Sequence, residues 1–231
     1  MMLRKRLTGL FVLALLFAAC GNKQNKENQD QQSDTVRQTS KVNDQKLKNI
    51  LFFGTSLTAG YGLDPTEAYP ALIQNRIDSL KMPYKVINGG LSGETSAAGK
   101  SRISWLLKQP IDVFVLELGA NDGLRGLPVA QTTKNLQSII DSVRLKYPEV
   151  KMVMAGMQVP PNMGAQYAED FKNIFPSLAR KNNMALVPFL LDKVGGVPKL
   201  NQEDGIHPTA EGDKILAENV WAVLKDVLVA K

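Results

Sequence analysis

Residues 49–62 read Asn49-Ile50-Leu51-Phe52-Phe53-Gly54-Thr55-Ser56-Leu57-Thr58-Ala59-Gly60-Tyr61-Gly62, an apolar run that closes in a glycine-punctuated turn. A short apolar run bounded by turn residues predicts a buried strand, 49–53, with Ser56 just beyond its end. Working outward, similar runs predict strands at 85–88, 113–118, 150–155 and 185–188. Between and after them, apolar residues at helical spacing predict helices over 68–80, 96–107, 129–146, 165–181 and 210–229. In the last, Ile215, Leu216, Val220, Val223, Leu224, Val227 and Leu228 share a face, and Trp221 reads as core. No internal repeat is present. Regular strand–helix alternation predicts an α/β fold, three layers deep, with a central five-stranded, mainly parallel sheet covered by helices on both faces. Ligands of such sheets bind outside the carboxyl ends of the strands. The turns 54–58, 89–95, 119–123 and 157–164 all fall at that edge.

The amino terminus carries different information. Arg4, Lys5 and Arg6 precede an apolar run that ends in Phe17-Ala18-Ala19-Cys20, so residues 1–19 read as a secretion signal. The run is too short for a bilayer span, and no later stretch reaches the length one needs. The Phe17–Cys20 sequence resembles a bacterial lipobox with Phe17 in place of the usual leucine. It implies an exported protein anchored to a membrane through lipidated Cys20, facing the periplasm or the cell surface. Residues 20–46 are dominated by Asn, Gln, Lys, Asp and Ser and read as a disordered tether, because they carry too little apolar surface to offset ordering. Residues 47–231 suffice for a single domain.

Charge and cysteine count exclude several classes. The formal charge of +6 comes from 28 basic and 22 acidic residues, and removing Arg4, Lys5 and Arg6 leaves 25 against 22. That excess is too mild and too scattered for a nucleic-acid surface. One cysteine, Cys20, permits no intrachain disulfide, and with one histidine it gives no Cys/His zinc site. Neither a metal nor an organic cofactor is expected.

Ser56, Gly93 and Asn121 sit in the predicted edge loops, and a further pair of chemistry-bearing residues lies beyond them. His207 is the only histidine, three residues after Asp204 in Asp204-Gly205-Ile206-His207. An imidazole can take and return a proton near neutral pH, and a carboxylate on its other nitrogen fixes the tautomer. Ser56 at a strand end offers a hydroxyl that a neighbouring base can activate. Ser92-Gly93-Glu94-Thr95 offers backbone N–H groups at a predicted helix start, and Asn121 in Gly119-Ala120-Asn121-Asp122-Gly123 offers an NH₂. With the Ser56 amide, these donors could surround the oxyanion of a tetrahedral intermediate. There is no G-x-S-x-G around Ser56, no P-loop and no G-x-G-x-x-G, which removes support for an α/β-hydrolase elbow or a dinucleotide site.

These motifs, in order Phe53–Tyr61, Asn88–Ser96, Glu117–Gly126 and Asp204–Pro208, resemble those of the SGNH (GDSL-type) hydrolases, and most closely their thioesterase, lysophospholipase and arylesterase branch. The resemblance implies a flavodoxin-like fold and serine ester hydrolysis through an acyl-enzyme. It assigns Ser56 as nucleophile, His207 as base, Asp204 as its orienter, and Ser56, Gly93 and Asn121 as oxyanion donors. It also implies that the loop holding Gln158, Val159, Pro160, Met163 and Tyr167 lines an acyl pocket. The substrate class it implies is a small or lipid acyl ester or thioester. Related enzymes remove acetyl groups from glycans, and a catalytically silent lipoprotein that binds glycan or lipid is a further reading; the complete set of motif residues disfavours the latter. One position departs from the family: Thr55 stands where aspartate is usual. Threonine still hydrogen-bonds in a turn, so activity is expected to survive with an altered pH response or turn stability.

Overall fold

A computed structural model of the chain describes residues 47–229. The expected signal segment 1–19, the lipidated Cys20 and the whole of the tether lie outside the described residues. Among the described residues the elements follow in the order β1 (Lys48–Gly54), α1 (Ser56–Ala59), α2 (Tyr69–Ser79), β2 (Tyr84–Asn88), α3 (Ser96–Leu106), β3 (Val113–Glu117), α4 (Ala120–Leu124), α5 (Val129–Lys146), β4 (Lys151–Ala155), α6 (Ala165–Lys181), β5 (Ala185–Val187) and α7 (Ala210–Val229). Short 3₁₀ turns at Pro161–Met163 and Pro198–Leu200 complete the set.

The five strands form one sheet in the order β2-β1-β3-β4-β5. All four pairings are parallel, so the expected mainly parallel sheet is parallel throughout. Ile50–Phe53, Val113–Leu116 and Met152–Ala155 are almost wholly buried, as strands covered on both faces require. α2 packs with α7, while α3 packs with α5 and α5 with α6, giving the three-layer α/β/α arrangement.

This strand order positions the site. The chain winds outward from β1 to β2, then crosses back to β3 and winds the other way. The loops after β1 and β3 therefore diverge and leave a crevice at the carboxyl edge, where ligands of doubly wound sheets bind. Ser56 follows β1 and Asn121 follows β3, so the two flank that crevice.

Candidate active site

Ser56 opens the four-residue helix α1. Thr55 caps it with extended backbone and accepts a bond from the Leu57 N–H. As the first amide of a helix, the Ser56 N–H has no acceptor within it and faces outward. Gly54 permits this turn, because a Cβ there would collide with the Thr58 hydroxyl and the Glu117 carboxylate. The sequence suggests only a turn here. A helix this short is set by its cap and by long-range contacts rather than by periodicity.

His207 reaches Ser56 across 151 positions of sequence: its Nε2 lies 2.9 Å from Ser56 Oγ. Its Nδ1 lies 2.6 Å from Asp204 Oδ2, while Asp204 Oδ1 accepts from the Ile206 and His207 N–H groups at 2.8 and 2.9 Å. The His207 side-chain bond, followed by those two amides, holds the Asp204 carboxyl down to about 2, so it is charged at neutral pH. Charged Asp204 accepts only, which gives Nδ1 the proton and leaves Nε2 to accept from Ser56. Gln202 fixes the loop in place. Its N–H donates to the His207 carbonyl at 2.7 Å and its side chain to the Tyr61 carbonyl at 2.7 Å, tying the histidine loop to the turn after Ser56. The Tyr61 ring packs on the imidazole, with centroids 4.5 Å apart.

The expected oxyanion donors sit on a braced loop. Gly93 takes φ +77° with open space where a side chain would stand, a conformation that glycine adopts without strain. Its carbonyl accepts from Arg125 at 3.1 Å. The Asn121 NH₂ donates to the Glu94 carbonyl at 3.0 Å, and an amide nitrogen has a second hydrogen for a ligand. Buried Glu94 pairs with Arg102 through bonds of 2.7 and 2.5 Å, and the guanidinium lies over Phe53 at 4.5 Å. Asp122 of α4 receives the Ser96 N–H at 2.7 Å and its hydroxyl at 2.5 Å, bracing the start of α3. The supporting roles of Glu94, Arg102 and Asp122 are absent from the sequence reading. Their sequence signal is only that charged residues flank the Gly93 and Asn121 motifs.

The loop expected to meet the acyl group divides. Gln158 and Pro160 are exposed, and half-buried Met163 approaches Gly126. The Tyr167 hydroxyl donates to the Leu127 carbonyl at 2.8 Å, joining this loop to the one after β3. Val159 is 8% exposed and lies, with Phe171, against Gly123 of α4.

A hydroxyl, an imidazole and a carboxylate in this order, beside donors at a sheet's carboxyl edge, can activate an oxygen nucleophile and hold a developing oxyanion. The chain belongs to the GDSL-like lipase/acylhydrolase family, whose model matches residues 52–215, and it is a hydrolase of that family. It is 41% identical over 182 residues to "Esterase TesA" of Pseudomonas aeruginosa, covering 78% of this chain and 90% of that protein. It is 37% identical over 170 residues to "Thioesterase 1/protease 1/lysophospholipase L1" of Escherichia coli, covering 73% and 79%. Among solved structures, the psychrotrophic esterase EstA from Pseudoalteromonas, inhibited by monoethylphosphonate, superimposes with a TM-score of 0.74 at 30% identity, covering 79% of this chain and 100% of that one. The resemblance legible in the sequence is thereby borne out.

Proposed function

We propose that the protein is a serine esterase that cleaves apolar acyl esters and thioesters through a Ser56–His207–Asp204 triad. The observation that carries this is the 2.9 Å approach of Nε2 to Ser56 Oγ, with Asp204 on the opposite ring nitrogen. Ser56 Oγ attacks the carbonyl carbon as its proton passes to His207. The oxyanion is held by the Ser56 and Gly93 N–H groups and the Asn121 amide. The tetrahedral intermediate collapses, His207 protonates the departing alcohol or thiol, and an acyl-enzyme remains. Water, deprotonated by His207, then releases the acid and restores the serine.

The preference for apolar acyl groups rests on the rim. Tyr61, Leu91, Leu124, Leu127 and Ile206 all keep exposed side chains on the loops around Ser56. Together with Gln158, Pro160, Met163 and Tyr167 they offer an apolar approach to the nucleophile, which suits a lysophospholipid, an aryl ester or an acyl thioester. Export and attachment of lipidated Cys20 to a membrane facing the periplasm or cell surface belong to the same reading, because they bring the domain to lipid substrates.

Fluorophosphonate labelling with a chain-length series of p-nitrophenyl esters tests this. The wild type is labelled and prefers chains longer than acetate, whereas Ser56→Ala and His207→Ala fold normally without turnover. A folded wild type that is neither labelled nor active on any ester of the series refutes the reading.

A further inference from the structure

Glu117 takes no part in the proton path just described, yet it is completely buried at the end of the otherwise apolar strand β3. The parallel register sets it beside Gly54, directly under the Ser56 turn. Its Oε2 accepts from the Thr55 N–H at 2.8 Å and from the Thr58 hydroxyl at 2.8 Å. The Thr55 hydroxyl divides between its two oxygens at 3.0 and 3.1 Å. With its own proton turned to Glu117, the Thr58 oxygen receives the Tyr69 hydroxyl at 2.8 Å. Each of these contacts points a donor at Glu117. An ionised carboxylate, which accepts and never donates, takes all of these donors at once, whereas a protonated one must turn its O–H toward a threonine hydroxyl and reverse that bond.

The geometry points to Glu117 as a positioning residue whose charged carboxylate clamps both sides of the Ser56 turn, holding Oγ in line with His207 and the Ser56 N–H toward the oxyanion. This inference rests on the serine esterase reading and specifies how that site is regulated. Thr55 and Thr58 face Glu117 from the β1–α1 turn and Tyr69 faces it from α2; Asp213 on α7 acts on the same phenol, whose pKa burial raises first and Glu117 next. Among the described residues no lysine, arginine or histidine pairs with Glu117. Burial, opposed by the Thr55 and Thr58 bonds, pushes its carboxyl up to about 7. The clamp therefore loses its charge across neutral pH as acid is added. The acid limb of the activity profile then carries a proton taken up by Glu117.

The experiment measures the rate of fluorophosphonate labelling of Ser56, with kcat and KM on p-nitrophenyl butyrate, from about pH 5 to 9. Glu117→Gln lowers kcat by about 10- to 100-fold at the alkaline end with KM changed by less than about 2-fold, and its acid limb loses one proton relative to the wild type. Thr55→Val, which keeps Glu117 but removes one donor, moves the limb to higher pH, and Thr55→Ser moves it back. A Glu117→Gln profile of wild-type rate and shape overturns the inference, as does a uniform loss with the wild-type limb intact. If Glu117→Gln does not fold, a Thr55→Val limb that coincides with the wild type overturns it instead. A wild type that is not labelled refutes the esterase reading and this inference together, whereas a labelled wild type with an unaltered Glu117→Gln profile refutes only the latter.

Discussion

At Asp204 three donors converge on one carboxylate: the imidazole Nδ1–H and the Ile206 and His207 amides. Asparagine would keep the loop's shape while presenting an NH₂ or a neutral oxygen to the ring, so the tautomer and the support for an imidazolium are both lost. Asp204→Asn is expected to cut kcat on the order of 1,000- to 10,000-fold with a normal circular dichroism spectrum. Steady-state kinetics with far-ultraviolet spectra check this. Ser56, Asp204 and His207, which the fold brings together, and the candidate donors Gly93 and Asn121 could be singled out in the sequence because short loop motifs mark them. Glu117 could not, since a carboxylate closing a strand reads as a solvated end. Its burial depends on helix α2, which contributes Tyr69 above it, and such contacts leave no local pattern. Thr55 illustrates the same limit: the sequence marks it as a departure from the family, and only the fold reveals that its hydroxyl serves Glu117.

Among the elements, α5, α6 and α7 match their expected bounds, because long amphipathic segments carry their period with them. α6 holds its bounds even with Pro176 inside it. α1 and α4 have four and five residues, too few for a period, and were read as turns. α2 shows how a helix can borrow its start. Ala68 precedes it with no side-chain cap, and Asp213 of α7 instead accepts the Tyr69 N–H at 3.2 Å across 144 positions. Asp213→Ala is expected to destabilise the domain by about 1–2 kcal/mol, because a buried N–H loses its acceptor. Asp213→Asn, whose side-chain oxygen can still accept, should recover most of that. Urea denaturation near pH 6 distinguishes the two variants, and equal midpoints for Asp213→Ala and wild type would refute the borrowed cap.

For the whole molecule, Glu117 and Asp213 set an opposition between stability and turnover. Burial raises both carboxyls to about 7, from 4.5 and 3.8 respectively. A carboxyl whose folded value is raised favours the folded state when protonated. Its contribution is complete below the unfolded value and is lost as pH rises through the folded one. Stability is therefore expected to decline from about pH 4 to 7, by up to about 1.4 kcal/mol per pH unit for each group, as activity grows. Asp204, shifted in the opposite direction, loses its contribution only as pH falls toward 2 and stays outside this window. Urea midpoints across the window check the sign, and Glu117→Gln should flatten the curve. Stability rising with pH there would contradict the account.

His207 stands near the far end of the chain from Ser56, on a loop bridged at Asn201–Pro208 and followed directly by α7. On the proposed reading, the hydroxyl after the first strand meets its proton acceptor only once the Asp204–His207 loop, 151 positions later, has folded against it, so the pair belongs to the assembled domain and to no shorter piece of it.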